Sequence, residues 1–242
     1  MTLQCAAAWQ RPPGGGPSHE GCLYRNGIKR VLDVLLASTM LLLLSPLFLA
    51  LMLWIGLDTK GGVFFRQKRV GRGKRYFEIL KFRTMRADAP RDVPTHLLAE
   101  PDRYITRPGR FLRRTSLDEL PQLLNILKGD MSFVGPRPAL WNQFDLIEAR
   151  DRYGANDVPQ GLTGWAQVNG RDEVSIARKA ELDGEYAKKI SFLFDCKCML
   201  LTVGSVLRHR GVVEGGTGEL ERRTKERGAL NTAEEINDAR NG

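Results

Sequence analysis

The sequence predicts an α+β fold mounted on a membrane segment, and three observations lead there. The apolar stretch from Val31 to Leu57 carries a single charge, Asp33, near its start. Directly after it, "VFFRQKRVG" and "YFEILKFRTM" alternate in the period-two manner of strands around a "GRGK" turn. Further on, "LDELPQLLNILKG" and "VSIARKAELDGEYAKKI" carry helical spacing instead. With 242 residues, 42% of them hydrophobic, the chain is long enough for one domain. Its net charge of +9 calls for an anionic partner: nucleic acid, an acidic membrane surface or a phosphorylated substrate. Cys5, Cys22, Cys196 and Cys198 form no disulfide ladder, and with three histidines in the chain they make no zinc set.

Residues 1–27 form a leader, Gly/Pro-rich in "RPPGGGPSHEG" and expected to be flexible. It is too long, and the apolar run behind it too extended, for a cleaved signal peptide. The apolar segment occupies residues 28–58. As a straight helix its uncharged part would measure about 36 Å, enough for a hydrocarbon core of ~30 Å. Pro46, near the middle, removes the amide that would bond the Leu42 carbonyl, and the Ser45 hydroxyl can take that carbonyl instead, so a bend is expected. Both flanks are basic, with Arg25, Lys29 and Arg30 before and Lys60, Arg66, Lys68 and Arg69 after, which favours the same cytoplasmic side for both. Length thus supports a kinked spanning helix, whereas the proline and the flanks support a helix that enters, turns at Ser45-Pro46 and leaves by the same face.

Residues 59–213 follow as a second region. Between Thr59 and Arg86 ten Lys or Arg residues face one acid, Glu78. Some of that charge reads as a collar for anionic lipid, at about 1 kcal/mol per cation. A hairpin would also fix Lys81 or Arg83 beside the membrane, where phosphate groups lie. In "TSLDELPQLLNILKG", Ser116 and Glu119 match a capping box that would start a helix at Leu117, with Glu119 reaching back to the Ser116 amide. Pro121 would distort or separate its first turn. Adjacent acids at a helix start, Asp118 and Glu119, need do no more than complement the helix dipole. Their surroundings argue for chemistry: Arg107, Arg110, Arg113 and Arg114 lie upstream and Arg137 sits between two prolines downstream, cations that should keep both acids ionised. An ionised aspartate is a usable nucleophile towards phosphorus once arginines and a divalent metal neutralise the phosphate oxygens.

Later, "PQGLTGWAQVNGRDE" reads as a loop and short strand ending in an Asn169-Gly170 turn, with Trp165 packing and Gln167 available to a nucleotide. "VSIARKAELDGEYAKKI" reads as a polar-faced helix. "SFLFDCKCMLLTVGSVLRHR" suits either an amphipathic interfacial helix or a buried core helix. Residues 214–242 have little to bury and are expected to be disordered.

"LKFRTM", "TRPGRFLRRTSLDELPQLLNILKGDMSFVGPRP" and "GLTGWAQVNGR" resemble the bacterial sugar transferase family, the small monotopic phosphoglycosyl transferases, over about Ile28 to Gly211. The resemblance implies a monotopic membrane protein: one re-entrant N-terminal hydrophobic helix, amphipathic interfacial helices and a small cytoplasmic catalytic domain with short strands. It implies an enzyme of the bacterial inner membrane that moves a sugar 1-phosphate from a UDP-sugar to undecaprenyl or another polyprenyl phosphate, releasing UMP and initiating polysaccharide or glycoconjugate synthesis. On matching positions, Asp118 would be the covalent nucleophile and the Mg2+ ligand, and Glu119 its base or activator. Lys81, Arg113, Arg137, Gln167 and Arg171 would face the substrate, Arg113 rather than both it and Arg114. Lys29, Arg30, Asp33, Ser45 and Pro46 would belong to the re-entrant helix.

On this reading the partners are the UDP-sugar, polyprenyl phosphate and anionic membrane lipids, with no nucleic acid. Two rivals remain at this stage. A non-enzymatic basic adaptor at the membrane surface would release no UMP, and a direct glycosyltransferase would release UDP instead. The motifs leave UDP-galactose, UDP-glucose and N-acetylated or deoxyamino sugars open as donors.

Overall fold

The computed structural model describes residues 23–59, 61–90, 101–170 and 174–207. Most of the leader, the tail from residue 214 and Arg171 lie outside the described residues. The hydrophobic segment folds as two helices, α1 (Lys29–Leu43) and α2 (Ser45–Asp58), bent by 65°. The bend follows from local chemistry. Pro46 sits in the first turn of α2, where a missing amide is tolerated, and Ser45 Oγ donates to the Leu42 carbonyl at 2.8 Å, replacing the bond that proline cannot make. Among the described residues no single helix is long and apolar enough to cross a membrane, although the bent pair together is. Leu42, Leu43, Leu49, Leu53 and Leu57 are exposed, while Ala37, Leu51 and Ile55 are buried against the rest of the chain. Helical structure starts ahead of the expected boundary at residue 28: Tyr24–Ile28 forms a π-helical turn and Tyr24 is buried.

The α+β class holds. β1 (Phe64–Val70) and β2 (Tyr76–Phe82) form the expected hairpin, closed by Arg72–Lys74, where Gly73 and Lys74 both take left-handed conformations. Phe65 pairs with Lys81, Gln67 with Ile79 and Arg69 with Phe77, so these six side chains share one face. After α3 (Arg107–Thr115) and α4 (Gln122–Lys128) come β3 (Ser132–Val134) and β4 (Ala139–Leu140). β4 pairs antiparallel with β1, giving the order β2-β1-β4. That order leaves β2 an edge strand, and α4 covers it. Asn125 Oδ1 accepts from the Leu80 amide at 2.9 Å and its Nδ2 donates to the Glu78 carbonyl at 2.8 Å, the two bonds a neighbouring strand would make.

The remaining elements are α5 (Phe144–Asp151), β5 (Gly161–Thr163), α6 (Trp165–Val168), α7 (Ile176–Lys189) and α8 (Phe192–Leu207). β5 runs parallel to β3. Leu123, Ile126, Met131, Phe133, Val134, Val158, Tyr186, Ile190 and Cys198 form the main core. A buried ion pair, Arg150 to Asp183 at 2.6 Å, ties α5 to α7. α8 is part of the core along one side and exposes apolar residues along the rest. Asp195 and Cys198 are buried, whereas Leu193, Leu200, Leu201 and Val203 are exposed.

Candidate active site

The two acids do not open a long helix. Ser116, left-handed at φ 57°, terminates α3, and Leu117–Glu119 form a single tight turn before Pro121 starts α4. The expected capping box is therefore absent. The Ser116 amide donates to Arg113 O at 3.1 Å, and the Glu119 carboxylate turns away to meet cations. A proline at position 121 has no amide to give a continuous helix, and this separates the turn from α4. The turn frees both carboxylates from helical spacing and points them at the hairpin.

β2 delivers Lys81, whose Nζ lies 2.8 Å from Glu119 Oε1 and 3.7 Å from Asp118 Oδ2. The second distance exceeds a hydrogen bond. Arg137 Nη2 donates to the same Glu119 oxygen at 2.6 Å. Burial alone would push the Glu119 carboxyl up, but Arg137 and Lys81, by charge and by hydrogen bond, hold it well below the usual carboxylate range. Asp118 moves the other way. Burial pushes it up, Lys81 opposes, and the Glu119 charge beside it adds to the rise. The cations thus hold Glu119 down, whereas at Asp118 desolvation outweighs them and the shift is upward. Arg113, from the last turn of α3, donates through Nε to Thr84 Oγ1 at 2.9 Å and adds positive potential at Asp118. Arg114 is exposed, as two adjacent helical side chains require.

Arg137 stands on a turn built by glycines. The Gly135 amide donates to Thr163 O and the Gly161 amide to Pro136 O, both at 2.8 Å. A Cβ on Gly135 would stand 2.2 Å from Pro159 O, and one on Gly164 2.0 Å from Gly135 O, so the "GPRP" and "GLTG" segments meet backbone to backbone. Gln167 sits apart from the dyad contacts, its amide donating to Leu162 O at 2.9 Å within that second segment. Trp165 packs on Phe194 and donates to Glu185, a structural role as expected.

The motif on α1 locks the hydrophobic arm to these same parts. Lys29 pairs with buried Asp195, which also accepts from Tyr24 at 2.7 Å and Tyr186 at 2.9 Å. Arg30 donates to the Ile126 and Leu127 carbonyls at the end of α4, and Asp33 accepts from the Phe133 amide on β3 at 3.1 Å. Sequence reasoning missed Arg69, Asn125 and Asp195. The hairpin alternation carried a signal for Arg69, since counting by twos from Phe65, opposite Lys81, arrives at it.

A family model, Bacterial sugar transferase, matches residues 24–209, which include the dyad, Lys81, Arg137 and the "GLTGWAQVNGR" segment. The chain belongs to the bacterial sugar transferase family. This sugar transferase is 40% identical to the uncharacterized sugar transferase EpsL of Bacillus subtilis, over 81% of its own length and 96% of the relative's. It is 38% identical to the exopolysaccharide production protein ExoY of Rhizobium meliloti, over 76% and 87%. It is 45% identical to a UDP-glucose:undecaprenyl-phosphate glucose-1-phosphate transferase of Caulobacter vibrioides, over 74% and 69%.

Proposed function

We propose that this sugar transferase moves a hexose 1-phosphate from a UDP-sugar to a polyprenyl phosphate, releasing UMP, and that it does so in two displacements through Asp118. The observation that carries this is the asymmetry of the dyad. Glu119 is spent on Lys81 and Arg137, while Asp118 beside it is partly buried and stands 3.7 Å from Lys81, close enough for charge support and too far to be tied up. In the first displacement Asp118 Oδ forms a bond to the sugar-bearing phosphorus and the bond to UMP breaks, its electron pair leaving with UMP. In the second, a polyprenyl phosphate oxygen attacks the same phosphorus and the aspartate is regained. Glu119 serves as the strut that orients Lys81 and Arg137 towards the diphosphate, a role suited to a carboxylate held so far down; as a proton acceptor it would be weak.

Mg2+ commonly binds through one or two carboxylates together with substrate phosphates. Among the described residues there is no cluster of three His, Cys, Asp or Glu side chains, and a single ligand, Asp118, fits that mode. When bound, the ion would neutralise phosphate oxygens. The similarity to the Caulobacter transferase makes UDP-glucose the first donor to try, with polysaccharide initiation as the role. The bent α1-α2 pair, exposed leucines on its surface and on α8, and the basic hairpin support a re-entrant seat in the inner membrane among anionic lipids, with the catalytic part on the cytoplasmic face. Cysteines in place of Gly27 and Asp58, in a thiol-free background, are both expected to label from that face; labelling of one from outside would mean a spanning segment.

The deciding experiment incubates the purified protein with UDP-glucose labelled in its β-phosphate, without lipid acceptor. Label should stay on Asp118 with about one UMP released per active site, as double displacement requires. UDP release, or product formed only with both substrates bound, would refute the two-step reading.

A further inference from the structure

Arg69 occupies a position no motif assigned. The register of the hairpin places it on the face of Lys81, and its backbone pairs across to Leu140, just past the turn that carries Arg137. Its guanidinium reaches that turn: Nη1 donates to the Pro138 carbonyl at 3.0 Å. Nη2 donates to Gln67 Oε1 at 2.6 Å, two residues back on the same strand face, which fixes the plane of the fork. Nε is buried with no hydrogen-bond partner. The Arg137 turn is thus gripped at both ends, upstream by the Gly135 and Gly161 amides and downstream by Arg69.

We propose that Arg69 is a positioning residue for the phosphate site: its part-buried guanidinium braces the turn through the Pro138 carbonyl and holds Arg137 where it meets a diphosphate. A lysine has no planar fork and cannot bond Pro138 and Gln67 at once in this geometry. The brace also brings a second cation beside Arg137. Burial and then Arg137 push the Arg69 guanidinium down to about 9, with Glu119 opposing, so it stays charged at neutral pH in a place where like charge is costly. A doubly charged anion relieves that repulsion, which preorganises the pocket for diphosphate over singly charged ligands.

The inference rests on the phosphotransfer reading for its substrate, so the test has one arm that does not need turnover. Pyrophosphate binding is measured by calorimetry on the full chain in detergent, for the wild type, Arg69→Lys, Arg137→Ala and the double variant, with thermal melts as the folding check. Arg69→Lys should weaken pyrophosphate about tenfold, the worth of one charge-assisted hydrogen bond. In the Arg137→Ala background the same change should cost nothing further, because the brace has lost what it positions. Gln67→Ala, a milder change that frees the fork without touching a charge, should show the same dependence on Arg137 at smaller size and serves if Arg69→Lys does not fold. In UMP release, Arg69→Lys should raise KM for the UDP-sugar with a smaller change in kcat. Losses that multiply, or wild-type binding by both variants, would overturn the brace. Coupled pyrophosphate binding without any UMP release would leave the brace standing and remove the enzymatic reading instead.

Discussion

Asp195 and Asp118 are both largely buried carboxylates, and the chain treats them in opposite ways. Asp195 receives Lys29 and two tyrosine hydroxyls, from two separate parts of the chain. Asp118 has Lys81 at a distance, Arg113 behind it and an anionic neighbour. A buried charge whose lone pairs are filled by the protein holds elements together and has nothing left to offer a ligand. One left short of partners is costly to the fold, and that cost is the kind that catalytic sites carry. Arg150 with Asp183 belongs to the first class, and Glu119 stands between the two, filled by cations that themselves face the site.

The comparison breaks most sharply at Asp118. Asp118→Asn should lower turnover by about a thousandfold or more. It should also raise the melting temperature at neutral pH, because a carboxyl whose folded value is raised contributes stability below its unfolded value and loses it as pH rises through the folded one. Differential scanning calorimetry beside a UMP assay reads both; a fall in melting temperature would mean Asp118 is a structural partner like Asp195. Asp195→Asn should do the reverse, costing about 3–5 kcal/mol by stranding Lys29, with the folded fraction keeping near-normal turnover. Urea titration checks it.

Smaller effects sharpen the contrast. Arg137→Lys should lose most turnover, about tenfold to a hundredfold, while staying folded, since a lysine cannot hold Glu119 and a diphosphate together. Activity near wild type would remove Arg137 from the site. Smallest is the pH response. The acid limb of kcat/KM should lie above the ordinary aspartate range, because Asp118 must be ionised and its value is raised. Lys81→Gln should shift that limb to still higher pH by removing a cation that lowers it. Glu119 adds the opposite stability term: present above its unfolded value of 4.5 and lost as pH falls towards its depressed folded one.

These differences mark where the sequence was legible. The bend at Ser45-Pro46 could be read in advance because a proline's missing amide acts locally. The hairpin was equally plain, its alternation and turn residues all within a short span. The capping box failed because Ser116 met a competing demand: α3 ends there, and the Glu119 carboxylate gains more from two cations than from one amide. Arg69 was hidden by company, one cation among many in the hairpin, and burial alone separates it from the exposed ones. Asp195 was hidden by distance, since nothing near position 195 announces a lysine from α1. Cationic partners for the dyad were legible as types, and Lys81 and Arg137 were found, but which carboxylate would be filled depended on lengths of side chain across a folded gap.

The Lys29–Asp195 pair closes a loop of 166 residues. Long closures form late, after shorter ones have reduced the chain's freedom. In a polypeptide emerging from the ribosome the hydrophobic arm is therefore made long before that lysine has its counter-ion, and it stays undocked until α8 follows. A nascent chain halted before α8 would have the dyad, Lys81 and Arg137 already synthesised yet no seat for α1. Docking of α1 is thus gated by α8, and a truncation ahead of α8 should appear as degraded or aggregated product, since the hydrophobic arm lacks its seat.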